Sequence, residues 1–315
     1  MTPLSTSSIL ERLLEIRTTR VRAPLEVFEL GSRLVESGWI NSNSDQGWTV
    51  KEQLATAAIE CNQLELATVL IDRLENKFSS TPSKDQPIPQ RILVLKGSML
   101  EQKGQLQLAK ELYEQRLRER ETDTLIRKRL ISLHLSTPLS SNTSTGLSRQ
   151  EGIRLLVEYL DTTYVDAEGW LLLAKSYAEL GLYEQSLSST SQALLLQPQN
   201  PFLLLYHSEL SYTLGEYGVA LKEFLRVVEM STDLDQAKRE GKRVVGGCGR
   251  RAAFGVKSCI SRLNSVSTTP SNSDVPRTSP SKLQELDLLM TRLILDSNGS
   301  GSSVETKVVR DWLST

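Results

Sequence analysis

The chain has 315 residues, 39% hydrophobic and only 5% aromatic, with 37 basic and 38 acidic residues for a net charge of −1. That balance gives no global electrostatic case for nucleic acid. Three cysteines without a CxxC spacing fit a reduced setting better than a disulfide framework, and no apolar run approaches the length of a membrane span.

In chain order, residues 8–38 read as two helices. Ile9, Leu10, Leu13, Leu14 and Ile16 form one stripe; Pro24 opens a second helix carrying Val27, Phe28, Leu30 and Leu34. Arg17, Arg20 and Arg22 lie between them and read as a solvated helix end, with contact to a partner as the alternative. Residues 41–47 read as a polar loop. From Trp48 to Phe78 a helical pair places Leu54, Ala55 and Ala58 on one face, Asn62 at the turn, and Ala67 with Ile71 on the returning helix. Residues 79–89 are a Ser/Pro-rich insertion. Residues 90–121 give a clearer pair, with Gly97 small, Gly104 at the turn, and Ala109 with Tyr113 on the return. Thr124 to Leu135 begins another pair. Ser136 to Ser148 interrupts it, and the partner helix resumes near Arg149.

The stretch from Ala167 to Thr232 explains the spacing. Trp170, Leu173, Ala174 and Tyr177 share one helical face, Gly181 and Tyr183 follow, and Pro198 stops the return helix. Gly215, Tyr217, Ala220 and Phe224 continue the pattern thirty-four positions on. This is similar to the tetratricopeptide signature, a helix-turn-helix unit that cannot bury its apolar stripe alone and must stack. The expectation is an all-α tetratricopeptide-repeat α-solenoid, a right-handed superhelix of antiparallel pairs. Trp170→Ala would cost roughly 3–5 kcal/mol if that ring is fully buried.

The domain plan is an N-terminal helical cap at 1–47 and a solenoid at 48–263. The repeats fall near 48–81, 90–123, 124–166, 167–200, 201–234 and, in degenerate form, 235–263. A disordered linker at 264–281 and C-terminal capping helices at 282–315 complete it. Helices are expected over 236–245 and 250–263, broken by Gly246, Gly247 and Gly249. Residues 265–281 and 297–303 read as unstructured. An amphipathic helix over 282–295, with Leu283, Leu286, Leu289, Met290 and Leu293 on one face, is expected to cap the last repeat, and 304–313 to form a short final helix.

Chemistry is sparse in the sequence. The glycines around Cys248 lack the ending of a phosphate loop, and His134 and His207 each lack a second ligand nearby on the helix. No catalytic residue, metal site or cofactor is expected. A basic cluster, Lys238, Arg239, Lys242, Arg243, Arg250, Arg251 and Lys257, reads as a solvated surface, with acidic lipid, acidic protein tails or RNA as alternative ligands.

Repeat proteins of this kind bind through their first helices. The second, fifth, ninth, twelfth and thirteenth repeat positions give Arg91, Val94, Ser98, Glu101 and Gln102, then Leu125, Lys128, Ser132 and Leu135. Next come Glu168, Leu171, Lys175, Ala178 and Glu179, then Phe202, Leu205, Glu209, Tyr212 and Thr213. This mixed surface suits a protein segment. The Lys/Asn arrangement that clamps a chaperone's terminal carboxylate is not matched, which counts against a free co-chaperone adaptor. Missing aromatic interleaving counts against an RNA-binding helical repeat.

Four stretches carry a finer resemblance. They are Leu13-Leu14-Glu15-Ile16-Arg17 with Arg20-Val21-Arg22, and Lys96-Gly97-Ser98-Met99-Leu100-Glu101 with Leu112-Tyr113-Glu114. The others are Glu168-Gly169-Trp170-Leu171 through Gln197-Pro198-Gln199-Asn200-Pro201, and Tyr212-Thr213-Leu214-Gly215 through Arg251-Ala252-Ala253-Phe254-Gly255. Over residues 8–263 the chain resembles the subunit 2 family of the endoplasmic reticulum (ER) membrane protein complex, as a fungal-type variant with Ser-rich insertions. The resemblance implies a non-catalytic scaffold on the cytosolic face of the ER, peripheral and held by partners. Those partners would be the membrane-spanning subunits and the soluble eighth or ninth subunit, in an assembly that inserts tail-anchored and other transmembrane helices.

Overall fold

The computed structural model describes residues 5–78, 89–137, 147–232, 247–266, 279–297 and 304–313. Among these there are helices and no strand. Residues 79–88 and 138–146 of the expected insertions, the helix expected over 236–245, and most of the linkers at 265–281 and 297–303 lie outside the described residues. No described helix is long and apolar enough to cross a membrane. The chain divides into two compact units, residues 1–152 and 153–315.

The first unit opens with α1 (Thr6–Thr19) and α2 (Pro24–Glu36). Ser5 caps α1 through Ser8 N–H, and Arg20, at φ 55°, ends it. Pro24 starts α2 in the first turn, where a missing N–H has no cost. Ile9, Leu13, Ile16, Val27, Leu30 and Leu34 are buried, but Leu14 lies on the solvent side of the expected stripe. Next come α3 (Asp45–Glu60), α4 (Leu64–Phe78), α5 (Gln90–Gln102), α6 (Leu106–Glu119) and α7 (Thr124–Leu135). α3 begins ahead of Trp48, inside the expected polar loop, because the Ser44 hydroxyl accepts from Gly47 N–H. α8 (Arg149–Thr162) crosses into the second unit.

The second unit continues with α9 (Ala167–Glu179), α10 (Tyr183–Leu196), α11 (Pro201–Thr213) and α12 (Tyr217–Ser231). α13 (Gly247–Val266), α14 (Pro280–Ser297) and α15 (Val304–Leu313) follow. Gly247 and Gly249 form the first turn of α13 and do not break a helix; α14 already begins at Pro280. Leu283, Met290, Leu293 and Ile294 of α14 join one core with Ala252, Val256, Cys259 and Ile260 of α13 and with Phe224 of α12. α14 packs on α13, with Leu289 on the exposed side of the face expected to be buried.

The turns show why the hairpins form. Asn62, Gly104, Gly181 and Gly215 all take left-handed backbone, at φ 59°, 73°, 76° and 85°. At each, the following N–H reaches back to a carbonyl of the last helical turn: Gln63 to Ala58, Gln105 to Leu100, Leu182 to Tyr177 and Glu216 to Ser211, at 2.8–2.9 Å. This six-to-one bond satisfies a carbonyl the helix end would leave orphaned. Trp170 is half-buried, and its Nε1–H donates to Tyr164 O at 2.9 Å. Its truncation should therefore cost less than full burial would imply.

Candidate functional site

The first-helix face of the first unit forms a cleft of about 380 Å³ between α3, α5 and α7. Arg91, Val94, Ser98, Glu101, Gln102 and Leu125 line it, as their repeat positions imply. Lys128 and Ser132 are exposed on α7. Leu135 is buried and belongs to the packing against α8, where Gly152 approaches it.

The α3 residues of the cleft were not anticipated. Glu52, Thr56, Ile59 and Glu60 line it, with Arg22 and Arg129. The signal was present: counted from Trp48, the same repeat frame selects these positions on the first divergent pair. Charge alternates across the cleft in ion pairs. Arg91 meets Glu52 at 2.8 Å, Arg22 meets Glu60 at 3.4 Å, and Arg129 meets Glu101 at 3.8 Å. Beneath the floor, the Tyr113 hydroxyl donates to Glu101 Oε1 at 2.5 Å. Burial, and then the Glu101 acceptor, push the phenol's pKa upward, so it stays a neutral donor.

In the second unit, Glu168, Lys175 and Glu179 are exposed, Leu171 and Ala178 half-buried, and Phe202 is 68% exposed. Leu205 is not on the surface: it packs in the core with Ala220 and Phe224. Its place in the frame is right, but the helix face there turns inward under α13. Glu209 pairs with Arg251 of the basic cluster, Nη2 to Oε2 at 2.9 Å. Burial raises the Glu209 pKa and Arg251 partly opposes it. Tyr212 stacks edge-on against Tyr217 and, with Arg262, Leu288 and Trp312, lines a trough of about 890 Å³ beside α13. Thr213 is exposed. Lys257 is tied to Asp287 at 2.6 Å and to Thr291 at 2.9 Å. Lys238, Arg239, Lys242 and Arg243 lie outside the described residues.

The structural positions fall where packing demands. Ala109, Tyr113, Ala174 and Ala220 are fully shielded from solvent, and Phe224 nearly so. Gly97 must lack a side chain, because a Cβ there would stand 2.2 Å from Tyr113 Oη. Tyr177 and Tyr217 are half-buried, while Tyr183 and Pro198 are exposed.

One arrangement escaped sequence reading. His207 Nδ1 lies 2.9 Å from Glu223 Oε2 and Nε2 lies 3.0 Å from Ser191 Oγ, joining α10, α11 and α12. Ser191 and His207 are equidistant from Gln199, and His207 and Glu223 from Gly215, as expected for residues at one height on antiparallel helices. The set resembles an activated nucleophile. However, the Ser191 hydroxyl donates to Leu187 O at 2.8 Å, so its proton lies on a helix carbonyl and not on the ring. It is a tie between helices. Cys248 fares no better as a nucleophile: burial raises its thiol pKa and Arg251 only partly offsets this.

The left-handed turns, the paired small and aromatic positions and the first-helix cleft all belong to one architecture. The fold is a tetratricopeptide-repeat α-solenoid. The tetratricopeptide-repeat family model matches residues 90–122 and 167–200. The solved C-terminal part of a TPR repeat-containing protein from Cytophaga hutchinsonii covers 95% of this chain and 98% of its own, at 14% identity and a TM-score of 0.58. That likeness speaks to the fold alone. TPR repeat protein oca3 of Schizosaccharomyces pombe is 27% identical over 251 residues, 78% of each chain. ER membrane protein complex subunit 2-A of Xenopus laevis is 27% identical over 199 residues, 63% of this chain and 61% of that protein. Subunit 2 of Dictyostelium discoideum is 25% identical over 71% of this chain and 65% of its own length. The chain thus spans less than two thirds of the subunit 2 relatives it matches.

Proposed function

We propose that this chain is a non-catalytic scaffold subunit of an ER membrane protein complex. It sits peripherally on the cytosolic face and supports insertion of tail-anchored and other transmembrane helices. Its partners are the membrane-spanning subunits and a soluble subunit corresponding to the eighth or ninth. The observation that carries this reading is the likeness to proteins named as subunit 2, over 63% and 71% of this chain. The structure supports the scaffold part of it. The first-helix cleft offers paired charges and apolar contacts to a protein segment, and the Ser191 hydroxyl beside His207 is committed to the backbone. The candidate docking residues are Arg91, Val94, Ser98, Glu101, Leu125 and Lys128 in the first unit. Those of the second are Glu168, Leu171, Lys175, Glu179, Phe202, Glu209 and Tyr212.

Affinity purification of the tagged chain after detergent solubilisation of membranes tests the proposal. Integral ER membrane proteins are expected in fixed stoichiometry with it. Recovery of soluble chaperones alone would overturn the assignment in favour of a free adaptor.

A further inference from the structure

We propose that the α3–α5–α7 cleft takes a cationic side chain of its partner segment over Glu101, and that Tyr113 is the positioning residue for that carboxylate. This rests on reading the cleft as a docking surface. It adds the chemistry of what docks.

The charges of the cleft are unequal in how they are held. The side chains of Glu52, Glu60 and Glu101 are 26%, 33% and 26% exposed and form the floor. Arg22 and Arg91, at 83% and 75%, project from the rim on single contacts, and Arg129 is 40% exposed. The floor is therefore the fixed part and the rim the movable part. Glu101 is the most firmly set. Tyr113 is fully buried, and its hydroxyl reaches Glu101 only because Gly97 leaves the gap through which the ring passes. That bond uses Oε1. Oε2 has Arg129 at 3.8 Å, beyond hydrogen-bond length, so the carboxylate retains acceptor capacity toward the cleft.

The two signs of ligand differ in what they leave behind. An acidic segment would have to draw the arginines off, leaving three half-shielded carboxylates facing further negative charge. A basic segment that replaces the rim arginines keeps every floor carboxylate paired and releases side chains already largely in water. A pinned acceptor also loses little freedom when an Arg or Lys binds it, which is where charge-assisted bonds gain their strength.

The test uses the full chain and three labelled peptides of equal length, alternating Leu with Arg, Leu with Gln or Leu with Glu, followed by fluorescence anisotropy. The Leu/Arg peptide should bind best. Glu101→Gln should weaken it about tenfold, the equivalent of one charge-assisted hydrogen bond. Tyr113→Phe should weaken the Leu/Arg peptide while leaving the Leu/Gln peptide unchanged. Phe is the residue the repeat frame ordinarily places there, so the variant keeps the packing. Tighter binding of Leu/Glu, no effect of Glu101→Gln, an equal loss for Leu/Gln, or binding of none of the three would overturn the proposal. Membrane-subunit co-purification of the wild-type chain reads the scaffold assignment separately.

Discussion

The hairpins α5–α6 and α9–α10 share a backbone and differ in what fills it. Both close on a left-handed glycine with the same six-to-one bond, and both leave a small residue, Gly97 or Ala174, where the helices cross. In α5–α6 the facing positions are Ala109 and Tyr113, and the ring fills the space glycine vacates. In α9–α10 they are Ser186 and Thr190, both fully buried. Ser186 Oγ donates to Ala174 O at 2.7 Å, and Thr190 Oγ1 to Ser186 O at 2.8 Å. Large against none, or small against small, conserves volume. Interior polarity is then tolerated because each hydroxyl finds a carbonyl. The repeat is specified by turn and volume, while the identity of the filling is free to serve the surface, as Tyr113 does beneath Glu101.

The largest effects should come from violating the shared volume rule. Gly97→Trp drives an indole into Tyr113, and Ala174→Trp does the same to Ser186. Each should exceed the ~1–3 kcal/mol usual for a few added methylenes and abolish cooperative melting of its own unit. Thermal unfolding followed by circular dichroism reads this directly, and a normal melt for either variant would break the packing account. Phe224→Ala comes next, at about 3–5 kcal/mol, because its ring is buried in the core and lies against the bare face of Gly255. Urea unfolding should show the loss at constant slope.

Changes at the turns rank below these. Gly181→Ala and Asn62→Ala should each cost about 1–2 kcal/mol, since both positions need left-handed backbone. A loss at one and not the other would mean that the turns are not equivalent. Thr190→Val sharpens the comparison from the other side. It keeps shape and removes a hydroxyl whose acceptor is already bonded within the helix, so it should cost less than ~1 kcal/mol by urea titration. A loss as large as that of Phe224→Ala would show that the hydroxyls hold α9–α10 together.

The turns and the paired small and aromatic positions were legible because a left-handed residue and a crossing point recur at fixed offsets from one another. The first-helix positions were legible too, and Glu52 and Glu60 could have been found by counting from Trp48. Other features needed three dimensions. Leu205 has the right offset but lies under α13, which falls in the degenerate part of the repeat pattern. Gly247 and Gly249 looked like a break because glycine is a poor helix former, yet tertiary packing of Ala252, Ala253 and Val256 outweighs that preference. The Ser191–His207–Glu223 tie draws one residue from each of three helices, so no local spacing reports it.

The hairpin α7–α8 departs from both of the others, and it sets the smallest prediction. No glycine turn closes it in the described residues; side chains do. Arg149 Nη2 donates to Thr137 O at 3.1 Å, and Ser148 N–H donates to His134 Nδ1 at 3.2 Å across the base of the insertion. His134 is 2% exposed, with Gly152 pressed against its Cβ. Burial lowers its pKa from the ordinary value of about 6.5, only partly offset by the Ser148 carbonyl. As pH falls below that value, the unfolded chain takes up the proton first and is favoured. Stability should therefore decline from about pH 6.5 down to the depressed folded value, below which both states are protonated and the loss is complete. His134→Gln retains an acceptor for Ser148 N–H and cannot titrate, so it should flatten that decline. Urea midpoints of the first unit's transition at mildly alkaline and mildly acidic pH decide it. An unchanged acid slope in the variant would show that carboxylates, and not this imidazole, set the response. α5–α6, which carries no histidine and turns on a glycine, should show no such dependence in its local hydrogen-exchange openings over the same range.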